Sequence, residues 1–174
     1  MPYALAVHGA EEEKKVLGVL REHRTNMGIE TREFEARVAR AFGKKYGVMV
    51  NSGSSANLLA LELLNLSRGS EVITPVLTFS TTVAPMIHKG VVPVFADVEA
   101  GKYTVDIRQS DGLITKKTRV LMIPLLFGNI PDLKKIKAFA EKHNLFFIED
   151  SCDTLGGTFL GKPSGTFSDI STTS

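Results

Sequence analysis

The sequence has a single cysteine among its 174 residues, which excludes an internal disulfide and any metal site built from several cysteines of this chain. Long apolar runs are also missing. The longest, at positions 120–127, has eight residues and includes a proline, whereas a membrane-spanning helix needs about 18 apolar residues. The opening residues lack a basic start followed by a long apolar core, so no signal peptide is predicted. These features favour a reducing compartment, and we expect a cytoplasmic location without membrane binding.

A charge excess of one sign is absent too. Lys and Arg number 21 and Asp and Glu number 19, which leaves a formal net charge of +2 at pH 7. Such a balance gives no basis for binding nucleic acid or a membrane surface through charge. With 43% hydrophobic and 23% charged residues, the composition is typical of a folded globular protein and excludes wholesale disorder.

Short apolar runs alternate along the chain with amphipathic stretches. The predicted strands span residues 46–50, 71–75, 91–96, 119–124 and 145–149, and the predicted helices span residues 11–24, 31–42, 56–66, 81–89 and 132–143. Because the strands are apolar throughout and alternate with helices, we predict an α/β fold with a mostly parallel mixed sheet and helices on both faces. Residues 167–174 resemble the start of another strand, which predicts that the chain is an N-terminal fragment of a longer protein.

The turn Asn51-Ser52-Gly53-Ser54-Ser55 precedes a Leu-rich helix. Free N–H groups at a helix start favour an anion, serine hydroxyls add donors, and Gly53 lets a ligand approach the backbone. A phosphate therefore suits this turn. Taken alone, the turn is better explained by a serine that only caps the helix, and the Gly-Lys-Ser/Thr of a P-loop does not follow.

Two further loops follow predicted strands, where open parallel sheets bind ligands. Asp150, with Glu149 and Asp153 beside it, can bind a protonated ring nitrogen. The alternatives are a solvated acidic loop or a divalent metal site, for which no second oxygen cluster is evident. Phe79 can stack on a planar ring or pack in the core. Together, an anion cradle, an aromatic ring and a carboxylate match the needs of pyridoxal 5′-phosphate (PLP).

Several separated motifs resemble the DegT/DnrJ/EryC1/StrS family of nucleotide-sugar aminotransferases. They are Asn-Ser-Gly-Ser-Ser-Ala-Asn at 51–57, Glu-Val-Ile-Thr-Pro at 71–75 with Thr-Phe at 78–79, Pro-Val-Phe-Ala-Asp at 93–97, Ile-Glu-Asp at 148–150 and Gly-Thr-Phe-Ser-Asp at 165–169. Their order and spacing agree with the family over residues 25–174. The resemblance implies the large domain of a fold-type I PLP-dependent transferase, here truncated, and a homodimer with active sites at the subunit interface.

The resemblance also implies a division of the chain and a set of site residues. Residues 1–30 would form an N-terminal helical segment and residues 31–174 an incomplete PLP-binding large domain. Ser54, Ser55 and Ser174 resemble phosphate-binding positions, Phe79 resembles the aromatic that stacks on the ring, and Asp150 resembles the aspartate that binds the ring nitrogen. Asp153 occupies a cofactor-facing position where most members have Gln or His. No metal site is implied.

The function implied by the resemblance is a PLP-dependent aminotransferase of polysaccharide or deoxyaminosugar biosynthesis. Its substrate would be a nucleotide-linked keto-sugar, and its amino donor glutamate. The sequence around Asp153 is closer to the CDP-4-keto-6-deoxyglucose 3-dehydratase branch, so a PLP- or pyridoxamine-phosphate-dependent dehydratase is one alternative. A non-catalytic or regulatory member of the fold is another. A Rossmann nucleotide-binding domain is disfavoured because no Gly-x-Gly-x-x-Gly follows the first predicted strand.

The residue that distinguishes these enzymes is not in this chain. By resemblance, the family's Schiff-base Lys, or the His that replaces it in dehydratases, lies five positions past Ser174. The chain therefore holds no catalytic residue of that kind, and we expect the 174-residue chain by itself to be inactive in transamination.

Overall fold

The computed structural model describes residues 6–174. Within this part of the chain the α-helices are α1 (Ala10–Arg21), α2 (Ile29–Ala41), α3 (Gly53–Leu63), α4 (Ser80–Lys89) and α5 (Leu133–His143). The strands are β1 (Glu71–Pro75), β2 (Val92–Ala96), β3 (Thr118–Pro124), β4 (Phe146–Asp150), β5 (Thr158–Phe159), β6 (Lys162–Pro163) and β7 (Ile170–Thr172). Short 3-10 helices occur at Ile107–Leu113, Leu126–Gly128 and Ser164–Phe167.

Five strands form one sheet in the order β2-β1-β3-β4-β7, and every neighbouring pair is parallel. The antiparallel pair β5-β6 is separate from it. The chain steps outward from β1 to β2 and then crosses to the other side of β1 to form β3. The carboxyl edge between β1 and β3 is therefore a topological switch point, where α/β sheets bind their ligands.

Alternate residues of the buried strands face two different helical layers. Val72, Val120, Met122 and Ile148 pack in a cluster with residues of α3 and α4. Their neighbours in sequence pack in a second cluster with residues of α5; these are Ile73, Leu121, Ile123 and Phe147. Helices thus cover both faces of a parallel sheet, which confirms the predicted fold class. The same alternation directs Asp150, two residues after Ile148, towards α3 and α4.

Polar side chains cap the starts of two helices. The Asp132 carboxylate accepts the Lys135 N–H at 3.1 Å and caps α5. Ser52 caps α3 by accepting the Ser55 N–H at 3.2 Å, so α3 begins at Gly53 and not at the predicted residue 56. A side-chain cap satisfies one of the N–H groups that a helix start leaves free.

The predicted strand at residues 46–50 is wrong. This segment pairs with no strand within residues 6–174, and its Tyr46 and Val48 side chains are 77% and 72% exposed. The Met49 N–H donates instead to the Glu35 carboxylate at 2.8 Å. An apolar run forms a strand only beside a hydrogen-bonded neighbouring strand. Here a groove of about 350 Å³ separates residues 46–50 from the end of β7.

The predicted division of the chain at residues 30 and 31 falls in the first turn of α2. Positions 1–5 of the predicted helical segment lie outside the described residues. The connection between β2 and β3 contains the 3-10 helix Ile107–Leu113. Among the helices described, none has both the length and the apolar character needed to cross a bilayer.

A pair of truncations tests this account of the core. Leu121 in β3 is fully buried, so Leu121→Ala should lower the free energy of unfolding by about 2–5 kcal/mol. Val48 is exposed, so Val48→Ala should change it by less than about 0.5 kcal/mol. Denaturant unfolding of both variants measures the difference. A loss at Val48 as large as that at Leu121 would show that residues 46–50 belong to the core.

Candidate cofactor site

Loops that follow β1, β3, β4 and β7 meet the start of α3 around a cavity of about 300 Å³. This volume lies at the small end of the range of ligand pockets, about 300–1,000 Å³. The predicted site residues that line it are Ser54, Phe79, Asp150, Asp153 and Ser174. Residues far apart in sequence meet here because parallel strands end at one edge of the sheet. Ser55 does not line this cavity.

The start of α3 presents free backbone donors to the cavity. Ser52 accepts hydrogen bonds from the N–H groups of the third and fourth residues of α3. Its Oγ accepts from Ser55 N at 3.2 Å and its carbonyl oxygen from Ala56 N at 3.0 Å. The N–H groups of Gly53 and Ser54 have no acceptor within residues 6–174. Two adjacent free N–H groups at the positive end of an 11-residue helix form a site suited to an anion.

Three chain segments come so close at Gly53 that no side chain fits there. A Cβ atom at this position would lie 2.6 Å from the Cys152 Sγ and 2.8 Å from the Ser174 Cβ. Glycine thus allows the start of α3 to pack directly against the loops that follow β4 and β7. This contact brings the Ser174 hydroxyl to the cavity that the free N–H groups also line.

Ser55 has a local role in the same turn. The Ser52 hydroxyl donates to the Ser55 Oγ at 3.2 Å, while the Ser55 N–H donates to the Ser52 Oγ. The two serines therefore stabilise the first turn of α3 through each other. That Ser55 contacts a phosphate stays a prediction.

The Asp150 carboxylate is held in place by neighbours from several elements. Its Oδ2 accepts from the Asn57 amide nitrogen and from the Thr82 hydroxyl, both at 2.8 Å. Its Oδ1 accepts from the Cys152 N–H at 3.3 Å. The Thr172 hydroxyl donates to the Asn57 Oδ1 at 2.6 Å, which fixes the amide with its nitrogen towards Asp150. The side chains of α3, α4 and β7 thus orient one carboxylate at the end of β4.

This carboxylate is buried without a compensating cation. Asp150 is only 6% exposed, and across residues 6–174 it forms no ion pair with Lys, Arg or His. A buried charge is costly unless hydrogen bonds and an opposite charge offset it. Three hydrogen bonds stabilise the anion, and the cavity beside it accommodates a cationic group. The residues present therefore fit a ligand that combines a protonated ring nitrogen with a phosphate.

Glu149 projects to the opposite face of β4 and has different partners. It is fully buried and accepts from the hydroxyls of Ser151 and Ser164 at 2.5 and 2.6 Å and of Ser168 at 3.2 Å. Since Glu149 and Asp150 face different layers, the acidic run does not converge on one point. Its geometry does not favour the divalent-metal alternative.

The Phe79 side chain is not buried in the core and does not cap α4. It precedes α4 and is 60% exposed at the edge of the cavity. The core-packing alternative is therefore wrong, and the ring is free to stack on a flat ligand.

Asp153 and Cys152 follow Asp150 in the cavity wall. The Asp153 Oδ2 accepts the Phe127 N–H at 3.2 Å, so this exposed carboxylate contacts the turn that follows β3. Burial, together with the charges of Asp150 and Asp153, raises the pKa of the half-buried Cys152 thiol to about 12.

Sequence reasoning missed the residues that orient Asp150, namely Asn57, Thr82 and Thr172. One signal was available for Asn57. It is a polar residue on the buried face of the Leu-rich helix α3, and a buried amide requires a hydrogen-bonded partner. Thr82 and Thr172 carry no comparable sequence signal, because each lies in a run of Ser and Thr residues in which no single hydroxyl stands out.

The chain is similar to proteins of known function. Residues 7–174 match the model of the DegT/DnrJ/EryC1/StrS aminotransferase family. A dTDP-4-dehydro-2,6-dideoxy-D-glucose 3-dehydratase from Saccharopolyspora spinosa is 42% identical over 161 residues, which are 88% of this chain and 35% of that protein.

Two solved structures have the same fold. One is a GDP-4-keto-6-deoxymannose-3-dehydratase with a trapped PLP-glutamate geminal diamine, with a TM-score of 0.86, 31% identity and coverage of 92% of this chain and 43% of that chain. The other is the PLP form of a putative sugar aminotransferase from Streptococcus pneumoniae, with a TM-score of 0.90, 28% identity and coverage of 100% and 48%. The predicted fold-type I architecture is confirmed, and the chain spans less than half the length of these proteins.

The raised pKa of Cys152 gives a measurable pH dependence. With a pKa of about 12, only about one molecule in 10⁴ carries the thiolate at pH 8. Alkylation by iodoacetamide should be slow there and should rise about tenfold per pH unit to pH 10, because only the thiolate reacts. Asp150→Asn should lower the pKa and speed the reaction at pH 8. A rate that levels off near pH 8.5 in the folded wild-type chain would contradict the expected environment.

Proposed function

The chain belongs to the DegT/DnrJ/EryC1/StrS aminotransferase family, and from that premise we propose that the whole protein is a PLP-dependent enzyme acting on a nucleotide-linked keto-sugar. One observation carries the proposal. The free N–H groups at the start of α3 and the buried Asp150 carboxylate, which forms no ion pair within residues 6–174, line one cavity of about 300 Å³. PLP carries a phosphate and a protonatable ring nitrogen on one small molecule, so it can use both.

In this proposal, several residues that line the cavity contact a defined part of the cofactor. The N–H groups of Gly53 and Ser54, with the hydroxyls of Ser54 and Ser174, hold the phosphate. Phe79 stacks on the ring. The predicted contact from Ser55 to the phosphate is a proposal of the same kind. Asp153 lines the wall of the same cavity.

Asp150 keeps the ring nitrogen protonated. Asn57 and Thr82 both bind its Oδ2, whereas Oδ1 accepts one hydrogen bond from residues 6–174, at 3.3 Å. Oδ1 is therefore the oxygen that would accept from the ring nitrogen. Bound PLP supplies an electron sink for negative charge on a substrate carbon, and a charge-assisted bond from Asp150 sustains the protonated ring.

The first candidate reaction is transfer of an amine from glutamate to the keto-sugar. The second is removal of the 3-hydroxyl of a nucleotide-linked 4-keto-6-deoxy sugar. Two observations favour the second candidate. The relative that is 42% identical is named as a 3-dehydratase, and Asp153 stands where most of the family is expected to have Gln or His.

We also propose that the enzyme is a cytoplasmic homodimer. Large apolar side chains are exposed beyond the carboxyl ends of the strands, at Val76, Phe79, Phe127 and Leu155, each 60–70% exposed. These residues follow β1, β3 and β4, as the cavity lining does. A second copy that covers this edge would bury them and close the cavity to water.

Binding of PLP to the 174-residue chain is the direct test. We expect saturable binding, followed by the absorbance of PLP or by equilibrium dialysis. Asp150→Asn should weaken it about 10- to 100-fold, since a hydrogen bond to a charged group contributes about 1.5–3 kcal/mol. The matched control is Asp111→Asn, which replaces a surface carboxylate paired with Lys142 and should leave PLP binding unchanged. Absence of saturable binding to the wild-type chain would favour the non-catalytic alternative.

Labelled glutamate distinguishes the two reactions in the whole protein. With ¹⁵N-glutamate and a nucleotide-linked 4-keto-6-deoxy sugar, amino transfer leaves ¹⁵N in the sugar product. Dehydration instead yields a product that has lost its 3-hydroxyl and contains no label. Mass spectrometry of the product reports both outcomes. A sugar that remains unchanged, in protein that binds PLP, would contradict the proposed substrate class.

A further inference from the structure

The 3-10 turn Leu126–Gly128 forms part of the cavity wall and has a disfavoured backbone. Leu125 and Leu126 line the cavity. The next residue, Phe127, has φ 54° and ψ 27°, a left-handed conformation that bulky residues rarely adopt. Its side chain is 70% exposed, so core packing does not hold it there. Other contacts must keep this turn in its position.

Hydrogen bonds to the end of β4 and to the loop after it supply such contacts, beside the turn's own bond from the Asn129 N–H to the Leu126 carbonyl at 2.9 Å. The Leu125 N–H donates to the Asp150 carbonyl at 2.8 Å, and the Thr154 hydroxyl donates to the Leu125 carbonyl at 2.5 Å. The Phe127 N–H donates to the Asp153 Oδ2 at 3.2 Å. Among residues 6–174, the Asp153 carboxylate is the group that accepts the N–H of the left-handed residue itself. This bond is also the contact made by a charged group, which binds an N–H more strongly than a neutral acceptor does.

The chemistry of Asp153 agrees with this role. An ionised carboxylate only accepts hydrogen bonds, and the donor that the structure gives it belongs to the turn. Asp150, three residues earlier, already provides the anion that faces the cavity. A second carboxylate aimed at the same ligand would repel the first. Its bond to Phe127 turns Asp153 towards the backbone instead.

We propose that Asp153 is a positioning residue that holds the Leu126–Gly128 turn, and so sets the cavity wall, without binding the cofactor directly. The inference rests on the proposed function only in taking the cavity as a cofactor site. It assigns Asp153 a different task from the Gln or His expected at this position in most of the family, because those side chains can donate a hydrogen bond and Asp cannot.

Amide exchange followed by NMR tests the bond without any cofactor. In Asp153→Ala, exchange of the Phe127 N–H should be about tenfold faster than in the wild-type chain, since a hydrogen bond to a charged acceptor is lost. Asp153→Asn keeps an acceptor oxygen and should restore most of the protection. Asp111→Ala, which removes a surface carboxylate from α5's ion pairs, should leave Phe127 unchanged.

Titration with PLP provides the second measurement on the same variants. We expect affinity to fall in Asp153→Ala and to recover in Asp153→Asn, in parallel with Phe127 protection. Unchanged exchange of the Phe127 N–H in Asp153→Ala would overturn the proposal. Equal losses of PLP affinity in Asp153→Ala and Asp153→Asn, with the Phe127 N–H still protected, would also overturn it, because Asp153 would then be a charged ligand of the cofactor. If the wild-type chain binds no PLP, the proposed function fails, while the exchange measurement still decides whether Asp153 holds the turn.

Discussion

The Asp150 carboxylate, buried at the end of β4 and bonded to Asn57 and Thr82, is the contact on which the site depends. It joins three elements that the sheet alone would not align, because α3 and α4 each contribute one donor to the same oxygen. A buried anion without a cation is stable only when its hydrogen bonds are made. The arrangement therefore fixes the start of α3 relative to β4, and with it the free N–H groups that suit a phosphate.

Alternation along one strand gives adjacent acidic residues different tasks. Glu149 faces the layer of α5 and binds serine hydroxyls that connect β4 to the chain leading into β7. Asp150 faces α3 and α4 and remains available to a ligand. The first carboxylate stabilises the connection that carries Ser174 to the cavity, and the second supplies the charge there. A parallel sheet permits this division because every strand presents its carboxyl end at the same edge.

The sequence predicted the parts of the molecule that its own local pattern determines. The strand β1 was predicted with its observed bounds and β3 within one residue, since both are apolar throughout and form the centre of the sheet. Residues 46–50 have a similar composition but lie beside no strand in the part of the chain that the structure describes. Strand pairing depends on distant segments that a local pattern does not reveal. The same limit applies to the site. Ser54 lies in the first turn of α3, Phe79 precedes α4 and Asp150 ends β4, all beside turns that the sequence marks, whereas the side-chain partners of Asp150 lie within helices and a strand.

The central claim is that Asp150 holds a protonated ring nitrogen, and ¹⁵N NMR of PLP labelled at that nitrogen measures it directly. For the chain in complex with labelled PLP, we expect the chemical shift of a protonated pyridinium to persist at pH 8 in the wild type and to be lost in Asp150→Asn. A bound cofactor whose ring nitrogen is unprotonated at pH 8, or whose shift is the same in both proteins, would contradict this account.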